Sequence, residues 1–504
     1  MNSNTHLPLP HHHNNSGAPR PMPLPLPLLT PDTGQSPSQK DRKVLIAGAG
    51  LGGLLLGALL ERAGMDYEIY EQADRYVRIG SAMALTANIF PVFEQLGILS
   101  EVIERSKPLE SVEGYNEKLK LFLPMSYHYV EKLSGYLSRV IPHPDLYNIL
   151  SSQVPEEKVI WGKKIINVQE SDNDISIECT DGSSYRGQVI VGADGAHSGV
   201  RECIYKALDE KGGLVKNDKE TPRYNGVCLW GETKALDPEK FPKLRDPTSN
   251  VCAVYGERLP YYWMTATTHR DTICWLIIQF FDKSTHQPTE TIRRWKSQPA
   301  GDMCEALKDL PIACGENLTF RDLMEETSRQ LLSKIMHEEK FYQTWHSGRA
   351  VLIGDACHKM SPSGGLGAVN ALQDATVLAN YLFALPDTPS WESEEITDAF
   401  KAFKDERYPH AKLCYEHSHQ LSQIMGNHWA TDITRAIYGK TPDWLWKLML
   451  RRIISHRPQV CFLPQVEAKG ASKPAPQPSL HLNLSRSNTG SSDTIASDKR
   501  AASV

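Results

Sequence analysis

The stretch KVLIAGAGLGGLLLGALLERAG, Lys43 to Gly64, constrains this 504-residue chain more than any other. Its short apolar run predicts a strand, GAGLGG a tight turn, and LLLGALLER a helix that stops near Gly64. In a strand–turn–helix unit of this kind Gly48 allows the turn, Gly50 lets a pyrophosphate reach the backbone, and Gly53 lets helix and strand pack closely. The helix N-terminus adds unpaired N–H groups and positive potential for phosphates. A second strand, DYEIYEQ, ends at Glu71, about 20 residues beyond the glycine turn, as such a unit requires. A carboxylate there accepts hydrogen bonds from ribose hydroxyls and repels a 2′-phosphate, so the bound nucleotide is expected to be FAD or NAD rather than NADP. The apolar run Val44 to Leu60 follows a polar, Pro-rich segment. It falls short of the roughly 20 residues of a spanning helix and lacks the N-terminal position of a signal core.

Composition is that of an ordinary globular protein, 40% hydrophobic and 23% charged, in a chain long enough for two or three domains. A formal charge of −5 builds no field that would attract nucleic acid, so no nucleic-acid partner is expected. Ten cysteines lie between Cys179 and Cys461 without a CxxC pair, which argues against a zinc knuckle or disulfide framework and for a reducing, cytoplasmic setting. Residues 1–41, with HHHNN and PRPMPLPLPLL, read as a polyproline-rich tail, and residues 469–504 as a polar one.

Two later stretches repeat the grammar of the first. In QVIVGADGAHSGVR a strand apolar on both faces precedes Asp194 and Gly195, and Ser198 and Arg201 open a helix rather than a returning strand. In GRAVLIGDACHKMSPSGGLGAVNALQDA, Asp355 stands at a strand end, where it can hydrogen-bond a ribitol or sugar hydroxyl, and a long helix starts near Gly367. That helix aims its positive end back at the glycine loop. Cys357 and His358 are adjacent, so on an extended segment they face opposite ways, and no acid stands at a supporting spacing. Neither a catalytic dyad nor a metal site is expected of them.

Taken in order, GAGLGG with Glu71, GADGAHSGVR and GDACHKMSPSGGLGAVNALQDA resemble the single-component FAD-dependent aromatic hydroxylase and epoxidase family, which shares the para-hydroxybenzoate hydroxylase fold. The likeness spans about residues 42 to 465 and is greatest to the fungal monooxygenases of secondary metabolism. It implies that Gly48, Gly50, Gly53 and Glu71 hold the ADP half of FAD. Asp194 and Gly195 would support FAD and a transient NADPH or NADH, and Asp355 the ribitol–pyrophosphate region. Gly367, Ala368 and Ala84 would face the flavin through backbone. Where relatives carry a flavin-contacting Arg, three residues before the Leu of PDLYNIL, this chain has His143, with Arg139 just upstream as a substitute. The family's reaction uses NAD(P)H and O2, forms a C4a-hydroperoxide on the flavin and passes one oxygen to the substrate. No catalytic acid–base dyad is required, and none is assigned.

The implied fold class is α/β: a Rossmann-like FAD-binding domain of the glutathione reductase type, with an inserted β-sheet substrate domain and a C-terminal helical region. The expected division is residues 42–210 and 346–385 for FAD, 211–345 for the substrate sheet and 386–468 for the helices. Within the insert, YNGVCLWGET, NVCAVYG, YYWMTATT and DTICWLIIQFF read as strands that roof the flavin, with Trp230, Tyr262, Trp263 and Trp275 as candidate linings for a lipophilic substrate. The basic amphipathic DWLWKLMLRRII either packs on the body or touches a membrane surface. Two other readings stay open, a flavin oxidoreductase without oxygen insertion and a non-catalytic binding protein on the same fold.

Overall fold

A computed structural model describes residues 42–76, 81–257, 259–285, 300–425, 435 and 441–482. The fully buried strand Val44–Ala47 pairs in parallel on both sides, with Tyr67–Tyr70 and with Val189–Gly192. Val159–Ile160 and Ala350–Leu352 extend this sheet in parallel, and His346–Ser347 closes one edge antiparallel. Strands covered on both faces need apolar residues at every position, which is why VLIA, VIVG and AVL read alike. This order sets the C-terminal ends of three glycine-bearing strands side by side, at Gly48, Ala193 and Ile353. Ligands of open parallel sheets bind at such strand ends.

The helix Leu51–Arg62 is buried on all sides from Leu51 to Leu60, so it is an inner helix and not an amphipathic surface one. It lies against the later helix Gly367–Ala384. The approach is close because the touching residues are small: a Cβ on Gly52 would sit 3.4 Å from that of Ala371, and one on Gly354 2.9 Å from the same atom.

The four strands expected between residues 211 and 345 form, as Arg223–Glu232, Val251–Tyr255, Tyr261–Thr267 and Ile273–Thr285, together with Ser333–Phe341. They belong to an eight-stranded sheet whose edges come from outside that range. Ser111–Asn116 pairs in parallel with Val251–Tyr255 and carries Leu121–Ser126 beyond it, and His358–Lys359 pairs with the end of Ser333–Phe341. The edge strand LFLPMS leaves Leu121 exposed and holds Leu123 buried, a half-polar pattern too weak to announce a strand by itself.

One expectation about the C-terminus is corrected. Lys469 to Leu482 does not leave the body as a polar tail: Ala471 and Ser472 donate their N–H groups to Lys132 and Leu133, Lys469 pairs with Glu94, and the Ser479 hydroxyl donates to Glu406. A Pro-rich segment cannot pair as a strand, but its remaining backbone groups and small side chains are satisfied one by one here. The N-terminal tail and residues 483–504 lie outside the described residues.

Buried histidines give the fold an acid-sensitive character. Burial pushes His337 down to about 4 and His410 to about 3, the latter helped by the Arg407 guanidinium. As pH falls through the ordinary histidine value of about 6.5, the unfolded chain binds protons that these two rings refuse. Each group therefore costs about 1.4 kcal/mol of stability per pH unit between its two pKa values. Thermal unfolding followed by circular dichroism should show the midpoint dropping from pH 6.5 to 5, and His337→Gln should flatten that slope by about one proton.

Candidate functional site

Backbone contacts join the first two motifs. Gly48 adopts φ +100°, and a Cβ there would lie 2.6 Å from the carbonyl oxygen of Ala193. Gly53 is a packing glycine as well, since its Cβ would fall 2.0 Å from the Gly48 oxygen. Gly50 differs: it has ordinary extended backbone, nothing lies within 4 Å of its Cβ position, and it faces a cavity. Glu71 accepts from the Ala49 N–H at 2.8 Å and from the Ala73 N–H at 3.0 Å, and so ties the glycine turn to the end of the second strand.

The cavity has a volume of about 560 Å³, in the usual range for small-molecule sites. One end is mostly backbone: Gly50, Ala84, Gly195, and the run from Gly364 to Ala368, with Asp355 and His143 beside them. Gly195 and Gly365 have positive φ and open space at their Cβ positions. The far end is apolar, walled by the roof sheet at Trp230, Tyr262, Met264 and Leu276 and by the C-terminal helices at Met425, Trp446 and Leu450. Of the four candidate aromatics Trp230 and Tyr262 face the cavity, whereas Trp275 borders it but turns its indole to the other face of the sheet, edge-on to Phe320 and donating to the Thr327 hydroxyl. Trp263 faces the opposite side of its strand, in a separate core cluster, and donates to the Pro311 carbonyl.

Seven of the twelve expected cofactor residues therefore line one cavity, namely Gly50, Ala84, His143, Gly195, Asp355, Gly367 and Ala368. Gly48, Gly53 and Glu71 shape the turn behind it. Asp194 is not in the cavity wall: one of its oxygens accepts from Val200 N–H in the first turn of the helix Gly199–Glu210, which Ser198 caps, and burial raises its pKa. Arg139 is not brought to the cavity. Its guanidinium donates to the Ser106 hydroxyl and to the Ile103 and Ser106 carbonyls, at the end of the helix Leu99–Glu104. His143, four residues on, does reach the wall, its Nδ1 is buried with no partner, and burial lowers its pKa.

Sequence reasoning missed two charged wall residues, Lys359 and Glu338. Lys359 donates to Asp355 at 2.6 Å. Burial would discharge this ammonium, yet the Asp355 carboxylate holds its pKa above the ordinary lysine value. Glu338 lies on the roof strand with one carboxylate oxygen buried and unpartnered.

The expectation that Cys357 and His358 lack a supporting acid is also corrected, because the loop and about two turns of the helix Gly367–Ala384 bring Asp374 onto them. The His358 Nε2 lies 2.5 Å from one Asp374 oxygen, which also accepts the Gly354 N–H at 2.9 Å, and Arg407 donates to the other oxygen at 2.7 Å. Potential ligand atoms of Cys357, His358 and Asp374 fall within 4.8 Å of one another. The chemistry is that of an ion pair rather than a metal site: both Asp374 oxygens are taken, Arg407 supplies the cation, and burial together with Asp374 keeps the Cys357 thiol protonated. Burial alone would protonate Asp374, but His358 and Arg407 hold its pKa low. Through the Gly354 N–H the carboxylate fixes the turn that presents Asp355 to the cavity.

The sequence profile described as FAD binding domain matches residues 41–218 and 305–415, more than half of the chain. The chain belongs to this FAD-binding family. Among curated relatives, the FAD-dependent monooxygenase paxM of Penicillium paxilli is 28% identical over 399 residues, 75% of this chain and 78% of the relative. The FAD-dependent monooxygenase verC1 of Penicillium polonicum is 28% identical over 390 residues, 76% of this chain, and the aligned part spans about half, 47%, of that longer relative. The crystal structure of Klebsiella pneumoniae HpxO complexed with FAD and uric acid shares the fold, with a TM-score of 0.66 and 18% identity over 83% of this chain and 98% of that one. The family match makes FAD the cofactor, and the open glycine faces at Gly50, Gly195 and Gly365, with the unpartnered His143 Nδ1, suit such a ligand.

The two kinds of glycine in the first motif separate experimentally. Gly50→Val should keep the thermal midpoint of the flavin-free protein and lose FAD in a fluorescence titration, whereas Gly53→Ala, with its backbone clash, should lower the midpoint itself. If Gly50→Val binds FAD as the parent does, Gly50 does not face the cofactor.

Removing the charge of Asp374 leaves Arg407 buried and unpaired, a change that costs about 3–5 kcal/mol in comparable sites. Asp374→Asn should unfold earlier and release FAD, while Cys357→Ala should stay within about 1 kcal/mol of the parent and retain it. The opposite pattern in differential scanning fluorimetry and flavin content would show that the thiol, and not the ion pair, is the working part.

Proposed function

We propose that this chain is an NAD(P)H- and O2-dependent monooxygenase that hydroxylates or epoxidises a lipophilic or aromatic small molecule, of the kind found in fungal secondary metabolism. The observation that carries the reading is the two-ended cavity, backbone and a few charges at one end and an apolar chamber at the other. Bound FAD supplies the oxygen activation: electrons come from NAD(P)H, one atom of O2 enters the substrate and the other leaves as water.

The residues of this chain do the rest. Gly50 and the helix that begins at Leu51 receive phosphate with backbone N–H groups, and the helix that begins at Gly367 directs a second positive end at the same space. Asp355, held by Lys359, offers a carboxylate to the ribitol hydroxyls. The chamber between Trp230, Met264, Met425 and Trp446 excludes water and selects apolar substrates by burial rather than by polar contacts. The relatives' names support oxygen insertion over simple electron transfer.

Reduction with NADPH followed by isotopically labelled O2, in the presence of lipophilic metabolites, tests this reading. Labelled oxygen in a product is expected, analysed by mass spectrometry. Consumption of NADPH with hydrogen peroxide as the sole product across substrates would favour the oxidoreductase without oxygen insertion, and a chain that binds no flavin would favour the binding protein.

A further inference from the structure

The helix Asp443–Ile453 is a wall one helix thick. Its inner side, Trp446, Met449, Leu450 and Ile453, lines the cavity. Its outer side exposes Trp444 (67%) and Leu448 (46%), one turn apart. Around them stand three exposed cations, Lys447, Arg451 and Arg452, and the helix carries a single acid, Asp443, at its first position. The adjoining helix His128–Ser134 adds exposed charges of both signs, Glu131 and Lys132, so the net positive character belongs to the outer face of Asp443–Ile453 itself.

We propose that this outer face docks on an anionic lipid bilayer. Indole rings favour the boundary between headgroups and acyl chains, the leucine adds apolar area just below it, and the cations meet the negative headgroups. The helix is 11 residues long and no described helix is long and apolar enough to cross a membrane, so the contact is a surface one. A second copy of the chain fits this face poorly, since a twofold contact would set the same cations against each other. Docked this way, the bilayer and the cavity are separated by the width of one helix, roughly 10 Å. A lipophilic molecule dissolved in the membrane then enters without crossing bulk water. Docking stands or falls independently of oxygen insertion, because its test scores binding and not turnover.

The test is vesicle co-sedimentation of the FAD-loaded full chain, with phosphatidylcholine alone and with added phosphatidylserine, at low and at physiological salt. Two variants avoid the cavity wall, Trp444→Ser with Leu448→Ser and Lys447→Glu with Arg451→Glu. Binding to the anionic vesicles should exceed that to phosphatidylcholine alone by about tenfold, and each variant should lose about tenfold, at unchanged flavin content and thermal midpoint. Equal binding by parent and variants, or no binding to any vesicle, overturns the proposal. So does a parent that sediments as a dimer and variants that sediment as monomers, which would make the face a contact between copies.

Discussion

Two helices from opposite ends of the FAD-binding fold approach closely because the positions between them carry almost no side chain. Gly52 and Gly354 both abut Ala371, and the carbonyl of Ala193 fills the place a side chain of Gly48 would take. A side chain on Gly48 or Gly354 would displace the Ala193 carbonyl or the Ala371 methyl, and with them the turns that bring the N-termini of the helices Leu51–Arg62 and Gly367–Ala384 to one cavity. The parallel sheet beneath supplies the alignment, since Val44–Ala47 lies between Tyr67–Tyr70 and Val189–Gly192, with Ala350–Leu352 one strand further. The cavity is thus a consequence of packing small residues.

The charges near this junction divide into two groups with different work. Asp374, Arg407 and His358 are fully buried and hold the Gly354 turn from behind. Asp355 and Lys359 are partly exposed and belong to the cavity. A buried pair of this kind is weak evidence for net stability, because desolvation offsets much of the attraction, but breaking it by removing one partner is costly. Its contribution is therefore to orientation, and the orientation it sets is that of Asp355 at the cavity wall.

Much of this was legible in the sequence where local grammar and three-dimensional role coincide. A strand, a glycine turn and a helix need one another within a short stretch of chain, so GAGLGG and GDACHKMSPSGGLG can be read directly, and the inserted strands show their β-rich runs. What was not legible depends on contacts across longer distances. Asp374 meets His358 only because a loop and about two turns of helix fold it back, which no adjacency rule reveals. Arg139 and His143 sit four residues apart, and the change from strand to helix between them sends one toward Ser106 and the other to the cavity. The pairing of Ser111–Asn116 with Val251–Tyr255 and the segment Lys469 to Leu482 are likewise fixed by partners distant in sequence.

A crystal structure of the chain reconstituted with FAD tests the central claim most directly. One flavin is expected in the cavity between Gly50 and Gly367, its phosphates at Gly50 and the N-terminus of Leu51–Arg62, and its ring system against the backbone of Gly367 and Ala368, with Arg139 still turned toward Ser106. A flavin bound elsewhere, or a ring displaced from the Gly365 to Ala368 backbone, would contradict it.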